Sequence, residues 1–200
     1  MSKIYIETYG CQMNFADSEI VASLLQKEGY GVTKEIAEAD YVLINTCAIR
    51  DNAEQRIRKR LRELRAQQQH NPQLRIGILG CMAERLQSQL MVEEENVSFV
   101  VGPDAYRRLP ELLRQVRTLG VKAAETELST TETYDDIEPV RLNSNGISAY
   151  ISIMRGCQNY CAYCVVPYTR GRERSRDPET IVAEARSLWQ TWISPKRKKN

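Results

Sequence analysis

The sequence contains no long apolar run and no recognisable leader segment. None of its 200 residues belongs to an apolar stretch of about eighteen residues, the length that a membrane-spanning helix needs. No basic segment followed by an apolar one opens the chain, so a secretory signal is not indicated. With 42% hydrophobic and 27% charged residues and a net charge of +2, we expect a folded cytoplasmic protein without membrane contact.

Histidine is almost missing, and this restricts the metal chemistry of the cysteines. The only histidine, His70, lies far from Cys157, Cys161 and Cys164, which have the spacing C-x3-C-x2-C. A structural zinc site needs four ligands and usually contains C-x2–4-C pairs. Three thiolates suit a four-iron cluster whose open iron can bind a small molecule. We therefore predict an iron–sulfur cluster here, with zinc ligation or purely structural thiols as alternatives.

The other three cysteines each follow an apolar, strand-like run. The pairs are Cys11 after Lys3–Glu7, Cys47 after Tyr41–Asn45 and Cys81 after Arg75–Leu79. A predicted helix follows each cysteine, so the three thiols are expected at the carboxyl ends of parallel strands, which meet at one edge of a sheet. This favours a second three-cysteine cluster, although cysteines at strand ends are often plain buried hydrophobes. Disulfides are disfavoured because the cytosol is reducing.

Apolar periodicity predicts an alternating β–α chain. The predicted strands are Lys3–Thr8, Tyr41–Asn45, Leu74–Leu79 and Val97–Val101. The predicted helices are Ala16–Glu28, with Asn14 or Asp17 as its N-cap, Asn52–Gln69, Ala83–Met91 and Leu109–Leu119. We therefore expect an open α/β domain over residues 1–120.

A change in composition marks the end of this domain. Residues 121–146 are rich in Glu, Thr, Ser, Asp and Asn without helical or strand periodicity, which predicts a linker. Residues 147–200 open with a predicted strand, Ala149–Met154, carry the three clustered cysteines and enter a helix at Asp177-Pro178. This order is that of the first βα unit of a barrel, with its reactive loop at the carboxyl end of the strand.

Nearly the whole chain, to about Leu188, resembles the radical S-adenosylmethionine (SAM) methylthiotransferase family, and within it the tRNA-modifying MiaB type. The residues that carry the resemblance are Glu7–Asn14, Asp17–Glu19, Asn45–Arg50, Gly80–Arg85, Tyr134–Ile137 and Gly156–Arg176. Related enzymes that act on ribosomal proteins usually have Pro-Lys after the first cysteine, where this chain has Gln12-Met13.

The resemblance implies a methylthiotransferase domain followed by the start of a radical-SAM partial barrel, with two 4Fe-4S clusters. The SAM-binding cluster would be held by Cys157, Cys161 and Cys164, and the sulfur-delivering cluster by Cys11, Cys47 and Cys81. The implied reaction adds a methylthio group to C2 of isopentenyladenosine beside the anticodon of tRNA, with a flavodoxin-like protein as electron donor. We expect a monomer, and no catalytic side chain is nominated.

Basic residues near both sites are candidates for contact with tRNA phosphates. They are Arg50, Arg56, Arg58, Lys59, Arg60, Arg62 and Arg65 at the helix after Cys47, and Arg170, Arg172, Arg174 and Arg176 beside the cysteine loop. The alternative is a solvated helix face that pairs with Glu54 and Glu63. Tyr160 and Tyr163 are expected to shield a cluster, to touch the adenine of SAM or to pack locally.

The last residues depart from the family pattern. Trp189–Asn200 do not resemble the expected continuation, and family members continue through the rest of the barrel into a small RNA-binding domain. We therefore expect a truncated chain that does not complete methylthiolation alone. The competing hypotheses are a non-catalytic iron–sulfur protein of the same family and a zinc-binding RNA-interaction module.

Overall fold

The centre of the molecule is a six-stranded parallel sheet. A computed structural model describes residues 1–47, 51–142 and 148–193 of the chain. The strands are β1 (Lys3–Tyr9), β2 (Gly31–Val32), β3 (Tyr41–Thr46), β4 (Arg75–Gly80), β5 (Val97–Val101) and β6 (Ala123–Glu125). They are arranged in the order β2-β1-β3-β4-β5-β6. The predicted α/β class is confirmed, and the four predicted strands all occur in the sheet.

Helices cover both faces of this sheet. They are α1 (Gln12–Lys27), α2 (Asp51–His70), α3 (Cys81–Leu86), α4 (Ser88–Glu93) and α5 (Leu109–Leu119), with 3-10 turns at Ile36–Glu38 and Tyr106–Arg108. Leu25 of α1 and Leu113 of α5 share one buried cluster with Leu43 of β3. Leu61 of α2 belongs to a second cluster with Ile44 of β3. Because side chains alternate along a strand, the fully buried β3 serves both cores.

The direction of strand addition reverses between β1 and β3. In such doubly wound sheets, ligands bind at this point, outside the carboxyl ends of the strands. The register brings three ends level, because Tyr9 pairs with Thr46 and Thr46 pairs with Gly80. The segments that follow β1, β3 and β4 therefore leave the sheet side by side at one edge.

Two predicted helices differ from those observed. α1 begins earlier, with Cys11 as its N-cap, and the predicted cap Asn14 lies in the first turn, where its Oδ1 accepts the Cys11 N–H at 3.3 Å. Asp17, the other predicted cap, is buried within the helix. The helix predicted at Ala83–Met91 is divided into α3 and α4 at Gln87, whose φ is +49°. Cysteine is not among the preferred N-cap residues, so propensity pointed to the later polar residues.

The segment predicted as a linker contributes to the core. β6 lies inside residues 121–146 and pairs with β5 at the edge of the sheet. Further along, Tyr134 and Ile137 join the same buried cluster as Leu43. A short edge strand and isolated apolar anchors leave no periodicity to detect. The division of the chain at residue 120 stays a prediction, and residues 143–147 lie outside the described part.

The second part of the chain contains little regular structure before its helix. Its elements are β7 (Met154–Arg155), α6 (Val166–Arg170), β8 (Arg174–Ser175) and α7 (Pro178–Leu188), followed by a π-helical turn at Trp189–Ile193. The predicted strand Ala149–Met154 is wrong in extent, since only Met154 belongs to β7, which pairs antiparallel with β8. The predicted start of α7 is confirmed, because Asp177 caps it by accepting the Glu179 N–H at 2.7 Å. Residues 194–200 are not described.

The length and composition of the helices show whether any of them could span a membrane. In the described ranges, no helix combines the length and the apolar character that crossing a membrane requires.

Candidate functional site

Cys11, Cys47 and Cys81, here called the sheet triad, lie at the edge where β1, β3 and β4 end. Cys47 and Cys81 are buried and Cys11 is partly buried. The Cys47 N–H donates to the Tyr9 carbonyl oxygen at 3.0 Å, which extends the pairing of β1 with β3 by one step. The thiol side chains of Cys11 and Cys47 are in hydrogen-bond contact. The fold therefore brings together three cysteines that are distant in the sequence.

Two buried asparagines fix the first turn of α1 against β3. Asn14 Nδ2 donates to Asn45 Oδ1 at 3.0 Å and to the Thr46 carbonyl oxygen at 3.1 Å. In return, Asn45 Nδ2 donates to the Asn14 carbonyl oxygen at 2.9 Å and to Ser18 Oγ at 3.0 Å. Buried polar groups that are fully paired specify one arrangement of their elements. The network thus sets the position of Cys11 relative to Cys47.

The surroundings of Cys11 favour its thiolate. A hydrogen bond from the Cys47 side chain, the N–H groups of Asn14 and Met13, and the charge of Arg170 outweigh desolvation and lower the pKa of Cys11 to about 5. A thiol at the first turn of a helix is a favourable place for negative charge. Because the thiolate is the form that binds metal, this environment prepares Cys11 as a ligand.

A buried arginine contacts the third cysteine of the sheet triad. Arg170, the last residue of α6, donates from Nε to Cys81 Sγ at 3.2 Å and from Nη2 to Asp17 Oδ2 at 2.7 Å. Despite burial, the charges of Arg155 and Arg170 hold the pKa of Asp17 below its usual value. Arg170 was one of the candidates for contact with tRNA phosphates, and this role is contradicted because its guanidinium is enclosed.

Arg155 and Asp104 extend this contact into a buried ion network. Arg155 Nη1 donates to Asp17 Oδ1 at 2.7 Å, and its Nη2 donates to the Pro103 carbonyl oxygen at 2.8 Å. Its guanidinium also lies 4.8 Å from the centre of the Tyr134 ring. Asp104 pairs with Arg174, at 2.9 Å from Oδ2 to Nη1. Arg155 and Asp104 were not among the predicted site residues. The signal for Arg155 was a charge at the end of the apolar run Tyr150–Met154.

Cys157, Cys161 and Cys164, here called the loop triad, lie in a more open environment. Cys161 is exposed, and Cys157 and Cys164 are partly buried. Backbone hydrogen bonds hold this loop in place. The Cys157 N–H donates to the Gly171 carbonyl oxygen at 3.1 Å, and the Cys164 N–H donates to the Cys161 carbonyl oxygen at 2.9 Å. The structure keeps these cysteines in one loop without enclosing them.

The two tyrosines of the loop have different surroundings. Tyr160 packs edge-on against Tyr168, with ring centres 6.0 Å apart. Tyr163 is 92% exposed, so the local packing expected as one alternative does not occur there. In this structure, Tyr163 shields neither triad from water.

Most of the arginines proposed for phosphate contact are already paired. Arg174 and Arg176 are buried, like Arg170, and pair with Asp104 and Glu184, so their predicted phosphate role was wrong. On α2, Arg58 pairs with Glu54, Glu93 and Glu94, and Arg60 pairs with Glu7 and Glu63. Among the residues proposed for phosphate contact, those that stay exposed without an ion pair in the described part of the chain are Arg56, Lys59, Arg62, Arg65 and Arg172. The Arg56 guanidinium lies 5.3 Å from the centre of the Tyr9 ring. Arg50 lies outside the described residues, as do Ala48 and Ile49.

Thiolates in sets of three are donors that suit an iron–sulfur cluster. Within residues 1–47, 51–142 and 148–193, no three Cys, His, Asp or Glu side chains are placed to hold one ion. In a four-iron cluster each thiolate binds a different iron, so its sulfurs need not converge on one point. In the sheet triad, the surroundings favour the Cys11 thiolate, and the Arg170 guanidinium faces the Cys81 sulfur.

Comparison with known proteins assigns a family on the basis of residues 3–102. Residues 3–102 match the profile of the uncharacterized protein family UPF0004, which spans β1 to β5 and all of the sheet triad. The chain belongs to this family.

Curated relatives of this chain extend the similarity beyond residues 3–102. The chain is similar to proteins named tRNA-2-methylthio-N(6)-dimethylallyladenosine synthase from three bacteria. Identity is 59% over 187 residues with that of Flavobacterium johnsoniae, 56% over 186 with that of Bacteroides fragilis and 54% over 187 with that of Chloroherpeton thalassium.

These alignments cover 93–94% of this chain and 39–41% of the relatives. The chain therefore spans about two fifths of the length of the curated relatives it matches. The predicted resemblance to tRNA methylthiotransferases is confirmed.

Proposed function

We propose that the chain carries the two cluster sites of a tRNA methylthiotransferase. The observation that supports this proposal is that Cys11, Cys47 and Cys81 directly follow β1, β3 and β4, three adjacent strands whose ends are level. The name of the relatives supports the same reaction class, the methylthiolation of a dimethylallyl-modified (isopentenyl-modified) adenosine in tRNA. The partners proposed with it are tRNA and a flavodoxin-like electron donor, and the proposed state is a monomer.

In this proposal, the two triads hold separate 4Fe-4S clusters. When bound, the clusters and SAM would supply electron transfer, radical formation and a sulfur source. The sheet triad would hold its cluster rigidly, because all three cysteines follow paired strands of one sheet. The loop triad would leave its cluster accessible to SAM and to a reductant, since Cys161 is exposed.

A cavity lined by Cys157 of the loop triad and by the two residues that follow Cys11 suits the adenine-containing reactants. It has a volume of about 490 Å³, which is within the range of small-molecule sites, and its lining is mostly apolar. Gln12 and Met13, next to Cys11, line one side, and Tyr150, Met154 and Cys157 line the other. The walls of this cavity would bring a substrate base near both clusters and reduce its contact with water.

Iron loading tests the proposal directly. Anaerobic reconstitution of the 200-residue chain should give about eight irons and about eight labile sulfides, as expected for two four-iron clusters. Changing Cys157, Cys161 and Cys164 together to Ala should remove about half of this iron, and the same change at Cys11, Cys47 and Cys81 the other half. Tyr163→Phe, in the exposed part of the same loop, serves as the control and should keep all of it.

Three outcomes would contradict the proposal. Zinc without labile sulfide would favour a zinc-binding RNA-interaction module. Loss of all iron from the Cys157, Cys161 and Cys164 variant, with the fold retained by circular dichroism, would show that the two sites do not bind clusters independently. Iron loading that neither triple variant changes would place the clusters on other residues.

A non-catalytic iron–sulfur protein is the second candidate, because Cys161 and Tyr163 are exposed to water. A single-turnover assay separates the two. The 200-residue chain is incubated with SAM, a strong reductant and isopentenyladenosine-containing tRNA, which is then digested to nucleosides for mass spectrometry. Because radical chemistry on a base requires water to be excluded, we expect no methylthio product from this chain alone. Detection of the product would assign full catalysis to it.

A further inference from the structure

One residue of the loop-triad segment reaches the sheet triad. Arg170 ends α6, the helix that follows Cys164, and its Nε lies 3.2 Å from Cys81 Sγ. Its other branch bonds Asp17 Oδ2 at 2.7 Å. Arg170 is 2% exposed, Cys81 6% and Asp17 1%, so both contacts are made away from water. A permanent cation from the segment that follows the loop triad therefore contacts a cysteine of the sheet triad.

The charge on Arg170 acts on the sulfur that it touches. A guanidinium stays protonated at any pH that a folded protein tolerates, and its hydrogen bonds to anionic acceptors are strong. Reduction of an iron–sulfur cluster adds negative charge, part of which rests on the ligand sulfurs. A hydrogen bond to such a sulfur stabilises the reduced form and raises the reduction potential. The effect is strengthened by the low local dielectric constant.

Asp17, on the other side of the Arg170 guanidinium, opposes the rise in reduction potential. Its carboxylate is shared between Arg170 and Arg155, and Tyr106 donates its hydroxyl to Asp17 Oδ2 at 3.3 Å. Because Asp17 is held as an anion, it neutralises part of the positive charge that Cys81 experiences. Removing Asp17 and removing Arg170 should therefore move the potential in opposite directions.

We propose that Arg170 is a positioning residue that orients the Cys81 thiolate and raises the reduction potential of a cluster bound to the sheet triad, and that Asp17 limits this rise. The proposal rests on the proposed function, because it needs a cluster at Cys11, Cys47 and Cys81. The same contact would couple the two sites, because a movement of α6, which follows the loop triad, would lengthen the hydrogen bond from Arg170 to Cys81. A purely structural Arg170 would affect folding or iron content without this pattern of opposite signs.

The test uses the variant in which Cys157, Cys161 and Cys164 are Ala, so that one cluster is titrated. Its reduction potential is measured anaerobically by electron paramagnetic resonance during redox titration. We expect Arg170→Met to make the cluster at least tenfold harder to reduce, which is about 59 mV lower for a one-electron couple. Asp17→Asn should raise the potential. Arg172→Met, which removes an exposed arginine close by, is the matched control and should leave the potential unchanged.

The iron and sulfide contents of each variant are measured first, because they separate loss of the cluster from a change in its reduction potential. An Arg170→Met variant that keeps its cluster and has the potential of the Arg172→Met control would overturn the inference, as would a lower potential in Asp17→Asn. If Arg170→Met does not retain a cluster, Arg170→Lys takes its place: loss of the planar Nε–H should lower the potential, and an unchanged potential overturns the inference. Absence of iron and sulfide from the parent variant would instead overturn the proposed function, before any potential is measured.

Discussion

The sheet triad and the loop triad contain the same three donor atoms in very different settings. The sheet triad follows three adjacent strands, and two of its cysteines are buried. Hydrogen bonds favour the Cys11 thiolate, and the Arg170 guanidinium contacts the Cys81 sulfur. The loop triad is contiguous in sequence, partly exposed and supported by two backbone hydrogen bonds. Distant cysteines need a rigid fold to meet, whereas neighbouring cysteines need only a loop of the right length. The first site therefore depends on the stability of the domain, and the second on local conformation.

The largest effect on stability is expected from Arg155, which belongs to the buried ion network between the two regions. Arg155→Met removes a guanidinium that is 1% exposed and leaves Asp17 and Asp104 with one arginine partner each. Breaking a buried ion pair on one side usually costs about 3–5 kcal/mol, because a charge stays buried without compensation. We expect a loss of about 3 kcal/mol in the free energy of unfolding, measured by urea denaturation of the reconstituted protein.

Arg172→Met is the control for this change, since Arg172 is exposed, and a surface substitution of this kind should alter the free energy of unfolding by no more than about 0.5 kcal/mol. If Arg155→Met costs less than about 1 kcal/mol, the buried network does not join the two regions energetically.

An intermediate effect on stability and iron content is expected when either of two glycines that precede a cysteine is replaced. Gly80, before Cys81, has a φ of +87°, and a Cβ there would lie 2.7 Å from the Thr46 carbonyl oxygen. Gly156, before Cys157, has a φ of +73°, and its Cβ would overlap the Arg172 carbonyl group. Both positions disfavour a side chain, but β4 lies inside the sheet and β7 pairs only with β8.

The two alanine variants should therefore separate stability from cluster loading. Gly80→Ala is expected to lower the free energy of unfolding by about 1–3 kcal/mol and to reduce iron at the sheet triad. Gly156→Ala should remove the iron of the loop triad, about four atoms, with a smaller change in stability. Iron analysis and urea denaturation of both variants provide the measurements. Equal destabilisation by the two changes would show that the loop triad is as strongly coupled to the fold as the sheet triad.

The contrast also explains what the sequence could predict. The four strands, the carboxyl-end positions of Cys11, Cys47 and Cys81, and the cap at Asp177 follow from local patterns, and they were predicted correctly. The pairing of Asp17 with Arg155 and Arg170 joins residues that are 138 and 153 positions apart, and no local pattern records such contacts. Charged residues are usually exposed, so Arg170, Arg174 and Arg176 were candidates for contact with tRNA phosphates, although all three are buried. β6 was missed because three residues at an edge have no detectable period.

The smallest effect is expected from exposed arginines, whose replacement should change the salt dependence of tRNA binding. This measurement shows which region of the molecule contacts the tRNA phosphates. On α2, Arg62 and Arg65 are exposed without an ion pair in the described residues, whereas Arg172 is the exposed arginine of the loop region. Changing Arg62 and Arg65 to Ala should reduce the slope of log K against log salt by about 1.4–1.8, since each phosphate contact contributes about 0.7–0.9. The slope is measured by filter binding of tRNA at several salt concentrations. Arg114→Ala with Arg117→Ala, on α5 at the opposite face of the sheet, removes the same charge and should leave the slope unchanged. A slope that falls only with Arg172→Ala would assign phosphate binding to the loop region instead.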